Sequence, residues 1–258
     1  MLEAIFLGII QGLTEFIPVS SSGHLVLLPE LLDWEERSTT FDVFLHGGTL
    51  LALLFHYRKY LYHLLKKSLH KNGNERNLIA GILIGSIPAG ILGFVFKDFI
   101  DDNLKSTTIV ALALIIVGLV FILTDYLPRP DKKTSKVSIK KAIIIGFFQP
   151  LAFIRGTSRS GITILGGLTQ KLDLKSAVNF SFLLGIPIIS AVFLYDLFDI
   201  ISNGAGEENF SQLSVGFIAS FIFGLIAIKF MLKFVTRTGL KWFGVYRLVL
   251  GLIIILLL

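Results

Sequence analysis

Two stretches of this chain hold residue types suited to phosphate chemistry. Residues 8–24 read GIIQGLTEFIPVSSSGH, and residues 146–162 read GFFQPLAFIRGTSRSGI. In the first, Gln11 and Glu15 are four apart and share one helix face. Pro18 stops that helix, and Ser20, Ser21, Ser22, Gly23 and His24 open another. The free N–H groups of a helix start attract anions, phosphate in particular, and His24 has acid–base capacity near neutral pH. In the second stretch, Arg155, Gly156, Thr157, Ser158, Arg159, Ser160, Gly161 and Thr163 repeat the Ser/Gly start. Arg159 there takes the place of Ser21, and arginine forks onto phosphate oxygens. Each residue also has a plainer reading. Serine is ordinary N-cap punctuation, a lone histidine most often packs, and a buried Glu can simply be satisfied by hydrogen bonds or by an Arg partner. Brought together, they make a phosphate site with acid–base groups.

The two stretches are copies. At a constant offset of 138, Gly8 falls on Gly146, Gln11 on Gln149, Leu13 on Leu151, Ser20 on Ser158, Ser22 on Ser160 and Gly23 on Gly161. The same offset aligns Phe44, Leu45, Gly47, Phe55 and Tyr57 with Phe182, Leu183, Gly185, Phe193 and Tyr195. Apolar bias alone does not hold one register through Gln, Ser and Gly.

The elements that must position these residues are membrane helices. Hydrophobic residues make up 53% of the 258, charged residues 16%, and mean hydropathy is +0.78, far from a soluble domain. The absence of Cys excludes disulfides, thiolate metal sites and a Cys nucleophile. The N-terminal MLEAIFLG lacks the basic region of a signal peptide and is expected to be retained. The net charge of +6 is loop chemistry rather than a nucleic-acid footprint, because the basic residues cluster between apolar segments.

Six apolar stretches are expected to span, at about 42–57, 77–96, 107–126, 177–198, 213–233 and 243–258. Segments 1–32 and 141–172 are apolar but broken near the middle, too long for one span and too short for two. They read as re-entrant helix–loop–helix hairpins, tolerated at membrane depth only when buried in protein or lining a wet cavity. Arg58, Lys59, Lys66, Lys67, Lys71 and Arg76, then Arg129, Lys132, Lys133, Lys136, Lys140 and Lys141, then Lys233, Arg237 and Lys241 mark the cytoplasmic side. Asp33, Glu35, Glu36, Asp98, Asp101, Asp102, Asp199, Glu207 and Glu208 fall on the other. The hairpins then enter from opposite sides. The expected fold is an all-α integral membrane protein with six transmembrane helices and two re-entrant hairpins in an inverted-topology repeat. It forms a single membrane domain over 1–258: repeat 1 about 1–126, linker about 127–140 with Pro128 and Pro130, repeat 2 about 141–258. Inverted repeats with broken helices place a site where the breaks meet, near the midplane.

The chain resembles the bacterial undecaprenyl-diphosphatase family, also called bacitracin-resistance proteins. The resemblance rests on Gln11–Gly–Leu–Thr–Glu15–Phe–Ile–Pro–Val–Ser–Ser21–Ser–Gly–His24 and on Gly156–Thr–Ser158–Arg159–Ser160–Gly–Ile–Thr163, and the apolar pattern follows it along essentially the whole chain. It implies hydrolysis of undecaprenyl diphosphate to the monophosphate and phosphate at the outer face of the bacterial cytoplasmic membrane, which recycles the cell-wall lipid carrier and confers bacitracin tolerance. It implies a divalent cation, Mg²⁺ or Ca²⁺, with Glu15 and Gln11 as the protein oxygens. It carries functional roles onto Glu15, Ser21, His24, Ser158, Arg159, Ser160 and Thr163. Two positions depart from the family pattern: Gln11 offers no charge where a Glu is also used, and Arg155 stands where Pro is usual.

Two chemical routes follow for a phosphatase: attack by Ser21 with His24 as base, or water activated by Glu15, directly or through the metal. In either, Arg159 and the hairpin amides hold the diphosphate, with Ser20, Ser22, Gly23, Gly156, Ser158, Ser160, Thr163 and Arg155 around it. A transporter or flippase of a polyprenyl phosphate lipid is the alternative that inverted repeats suggest. The exposed apolar faces permit a homodimer. The type 2 phosphatidate phosphatase superfamily is a poorer match. Its Arg-Pro motif precedes Ser-Gly-His, whereas Arg129 here follows His24, and Leu165 occupies the position of its second His.

Overall fold

Helix breakers set the first elements. In the computed structural model, which describes residues 1–34, 38–69, 73–104, 106–126, 134–203 and 209–257, α1 runs Leu2–Phe16 and α2 Ser21–Leu32. Ile17, forced out of the helical region by the following proline, is extended at φ −71° and ψ 132°. The second copy gives α7, Ile139–Gly146, a 3₁₀ turn Gln149–Phe153, and α8, Arg159–Thr169. Its first arm is less regular because Pro150 stands where the first copy has Gly12, and proline removes an intrahelical donor. Both segments are therefore helix–break–helix.

The remaining helices are α3 Thr39–Ser68, α4 Asn74–Val95, α5 Lys97–Asn103, α6 Thr107–Tyr126, α9 Leu174–Asn203, α10 Phe210–Thr238 and α11 Lys241–Leu257. The six long ones coincide with the six expected spans, but several run further. The expected loop at 58–76 is mostly helix, since α3 continues to Ser68 and α4 begins at Asn74. Lys66 and Lys67 sit in the last turn of α3, where cations suit the helix C-terminus. The short α5 was not expected. Glu35, Glu36, His70, Lys71, Pro128, Arg129, Pro130, Lys132, Lys133, Glu207 and Glu208 lie outside the described residues.

Four helices are long and apolar enough to cross a bilayer: Asn74–Val95, Thr107–Tyr126, Leu174–Ser202 and Phe210–Val235. α3 falls short in hydropathy because Asp42, His46, His56 and Arg58 interrupt it, and α11 falls short in length at 17 residues. Only 28% of the apolar window of α4 is buried inside the protein. Ile87, Ile91 and Phe94 face outward, a surface that suits lipid rather than water. The chain is an all-helical, multi-pass membrane protein. Among the described residues the only β contact is an isolated bridge between Thr134 and Leu172.

The two helix–break–helix segments exchange partners. α1 packs against α10, and α7 packs against α4. The first contact depends on small residues: Gly8 and Gly12 on α1 face Gly216, Ser220 and Gly224 on α10. Small residues four apart let membrane helices approach closely, where lipid supplies no hydrophobic drive. α6 and α11 pack in the same manner through Gly118 and Gly244. The core between them holds Phe16, Leu53, Phe121, Ile164, Phe182, Ile228 and Met231.

Candidate active site

The two breaks meet. A Cβ added to Gly23 would lie 3.6 Å from Gly156 Cα, and one added to Gly161 would lie 3.3 Å from Pro18 Cβ. These two contacts are the same contact with the copies exchanged, since Gly23 corresponds to Gly161 and Pro18 to Gly156.

The local geometry of the breaks is also duplicated. Ser20 has φ 75° and ψ 96°; Ser158 has φ 72° and ψ 111°. Left-handed backbone costs a non-glycine residue about 1–3 kcal/mol and persists only where surroundings over-determine it. Each serine caps the following half-helix: Gly23 N donates to Ser20 Oγ at 3.3 Å and Gly161 N to Ser158 Oγ at 3.2 Å. Each also reaches the serine two residues on, Ser20 Oγ to Ser22 Oγ at 3.3 Å and Ser158 Oγ to Ser160 Oγ at 3.2 Å.

The copies differ in their reactive groups. Glu15, buried on α1, accepts from Arg159 Nη2 on Oε1 at 3.1 Å. Its Oε2 accepts from Ser21 Oγ at 2.7 Å and from Gln11 Nε2 at 3.3 Å. Gln11, Glu15, Ser21 and Arg159 thus form one cluster across three helices. In the second copy Phe153 replaces Glu15, so there is no mirror cluster. Arg159 Nη1 donates to Ser181 O at 3.3 Å, and Gly185 gives the guanidinium room on α9. Thr163 is buried; its hydroxyl lies 2.6 Å from Ser181 Oγ and donates to Arg159 O at 2.8 Å.

His24 does not contact Ser21. Its Nδ1 lies 2.7 Å from Ser20 O and its Nε2 2.7 Å from the Tyr246 hydroxyl. A carbonyl only accepts, so Nδ1 carries the proton and Nε2 accepts from Tyr246. The imidazole and the Tyr246 ring are parallel, 2° apart in tilt at 5.8 Å. The Ser21 proton is therefore held by Glu15, not by His24. Arg155 is half-buried on the turn before Gly156.

Three participants escaped sequence reading: Ser181, Tyr246 and Arg247. Arg247 is fully buried and donates to Pro18 O at 3.2 Å, Ala113 O at 3.4 Å and Gly156 O at 2.6 Å. A signal existed for it, because an ionisable residue inside an apolar span is a functional hypothesis by default.

The oxygen donors suit a hard cation in part. Gln11 Oε1 is buried and has no hydrogen-bond partner, and it shares the helix face of Glu15. Two protein oxygens match Mg²⁺, which completes its shell with water and phosphate oxygens rather than with a full protein cage. Among the described residues no group of three or more His, Asp or Glu gathers that would build such a cage. Gln149 Oε1 is also unpartnered, but it has no carboxylate beside it.

Residues 4–253 match the family described as bacitracin resistance protein BacA. An undecaprenyl-diphosphatase of Wolinella succinogenes is 41% identical over 258 residues, covering 97% of this chain and 95% of that protein. One from Persephonella marina is 40% identical over 262 residues, covering 99% and 98%. One from Marinobacter nauticus is 34% identical over 254 residues, covering 96% of each. With the match spanning nearly its whole length, the chain belongs to the bacitracin resistance protein BacA family.

Proposed function

We propose that this protein hydrolyses undecaprenyl diphosphate to undecaprenyl phosphate and inorganic phosphate, recycling the cell-wall lipid carrier and conferring bacitracin resistance. The observation that carries the reading is the Ser21–Glu15–Arg159 cluster, set where two helix starts meet inside a membrane protein. Glu15, a proton acceptor, stands within hydrogen-bond reach of both a hydroxyl nucleophile, Ser21, and a phosphate-binding cation, Arg159.

The chemistry follows from those contacts. Arg159 and the N–H groups opening α2 and α8 bind the diphosphate oxygens. As Arg159 turns to the substrate, Glu15 loses its ion-pair partner and becomes a stronger base. Ser21 Oγ attacks the terminal phosphorus and passes its proton to Glu15. The bond from that phosphorus to the bridging oxygen breaks, and undecaprenyl phosphate leaves. Water then attacks the phosphoserine phosphorus, the bond from phosphorus to Ser21 Oγ breaks, Glu15 returns its proton to Ser21 Oγ, and inorganic phosphate leaves with the protons of the water. Charge developing on the equatorial oxygens is met by Arg159 and the amides. His24, Thr163, Ser158 and Ser160 hold the breaks in place. A divalent cation would be held by Glu15 and Gln11 Oε1 and would neutralise phosphate charge.

The supporting architecture is an inverted repeat: six membrane helices, with α1–α2 and α7–α8 as hairpins entering from opposite faces. The exchanged packing of α1 on α10 and α7 on α4 and the reciprocal contact of the breaks support it. The clustering of basic loop residues supports a location of the N-terminal hairpin, with Ser21 and Glu15, on the outer side of the cytoplasmic membrane.

The test is phosphate release from undecaprenyl diphosphate in detergent, with acid quench within one turnover. Phosphate released by the wild type, together with phosphoserine at Ser21 that disappears in Ser21→Ala, is the expected result. Turnover without phosphoserine would replace the serine step by direct attack of water. In liposomes, lipid translocation without phosphate release would favour a flippase.

A further inference from the structure

Arg247 is the largest fully buried side chain among the described residues, and no carboxylate among them pairs with it. Burying a guanidinium is costly unless its donors are met. Here they are met by backbone carbonyls in a particular pattern. Pro18 O and Gly156 O, which it holds at 3.2 and 2.6 Å, occupy the same position in the two copies, 138 residues apart. The third acceptor, Ala113 O, and the ring of Phe121, 5.3 Å from the guanidinium carbon, belong to α6, against which α11 packs. Arg247 belongs to the second half alone, so one residue from one repeat serves both breaks.

These carbonyls lie two residues before Ser20 and Ser158, the two left-handed N-caps. Fixing them fixes where α2 and α8 begin, and so where Ser21 and Arg159 stand relative to each other. Lysine lacks the fork that reaches carbonyls from separate segments at once. The neighbouring Tyr246 steadies His24, whose Nδ1 holds Ser20 O, so α11 grips the first break twice.

We propose that Arg247 is a positioning residue, a clasp that holds the two hairpin breaks in register so that Ser21 and Arg159 act on one phosphate. It touches neither substrate nor reacting atoms. The inference rests on the phosphatase reading for its kinetic consequence, but not for its structural one.

The experiment compares the wild type, Arg247→Met, Arg247→Lys and Ile254→Ala in detergent. Ile254 is buried on the same helix, seven residues on from Arg247, in an apolar cluster with Leu27, Val110 and Leu114. Two readouts are taken: phosphate release from undecaprenyl diphosphate, and hydrogen–deuterium exchange of peptides covering 16–24 and 154–162. Arg247→Met is expected to lower kcat by about 10²-fold with KM changed by less than about threefold. Exchange should rise at both breaks together. Ile254→Ala should lower the melting temperature and leave kcat and both peptides as in the wild type. If Arg247→Met does not fold, Arg247→Lys decides, with an expected loss of about tenfold in kcat. Wild-type kcat in the folded Arg247 variant, unchanged exchange, a rise at one break only, or an equal kcat loss in Ile254→Ala would each overturn the clasp. A wild type that releases no phosphate sinks the phosphatase reading alone, and the exchange data still judge the clasp.

Discussion

Glu15 and Arg159 stand 144 residues apart in sequence and 3.1 Å apart in space, each contributed by a different copy of the repeated motif. Their side chains are 8% and 12% exposed. The pair therefore joins the two halves of the molecule, and the same carboxylate accepts the hydrogen bond of the Ser21 hydroxyl.

Removing either partner should hurt more than removing both. A buried charge left alone costs roughly 3–5 kcal/mol, whereas a neutral pair of similar size can be nearly free. Arg159→Met and Glu15→Gln are each expected to lower the melting temperature in detergent, and the double variant to recover part of the loss. Additive losses would show that the pair is not coupled. Turnover should not recover. Arg159→Ala should still purify as a folded protein, with kcat/KM down by about 10³-fold.

The left-handed caps can be tested by stability alone. Glycine at position 20 or 158 forfeits a cap bond worth a few tenths of a kcal/mol but relieves backbone strain of about 1–2 kcal/mol. Alanine forfeits the bond and keeps the strain. Ser20→Gly and Ser158→Gly should melt at or above the wild type, and both alanine variants below it. The reverse order would mean that φ near +75° is not what these serines adopt.

Close helix approach makes Gly12 intolerant of any side chain. A Cβ there would sit 2.7 Å from Ser220 O and 2.8 Å from Gly224 N, backbone atoms that cannot move aside. Gly12→Ala should destabilise by about 1–3 kcal/mol through overpacking. At Gly90 a Cβ meets nothing within 4 Å. Gly90→Ala should leave the melting temperature unchanged or raise it, through helix propensity of up to about 1 kcal/mol. Equal effects at the two sites would contradict the packing of α1 on α10.

Cation dependence should follow position 11. Gln11→Glu places a second carboxylate beside Glu15, so phosphate release should reach half-maximum at about tenfold lower Mg²⁺. EDTA should abolish activity in the wild type, and Glu15→Gln should not respond to added Mg²⁺. An identical Mg²⁺ titration for wild type and Gln11→Glu would remove residue 11 from the cation site.

Much of this could be read from residues in order. Glu15, Ser21, His24 and Arg159 stood out because polar groups inside apolar sequence are costly and so have a reason to be there. The six long helices followed from hydropathy, and Pro18 marked the end of α1. Boundaries were less legible. α3 continues to Ser68 through residues charged enough to pass for a loop, because Lys and Arg are good helix formers whatever the hydropathy around them.

The sequence by itself determined the doubled motif, the all-helical membrane character and the residue types of a phosphate site, since those depend on composition, period and offset. Only the tertiary structure decided the pairings. It gave the Ser21 proton to Glu15 and turned His24 toward Tyr246, and it drew Arg247 from the far end of the chain onto both breaks. The reason is physical: hydrogen bonds act over about 3 Å, and which groups come that close depends on how α1, α8 and α11 pack, not on their order along the chain.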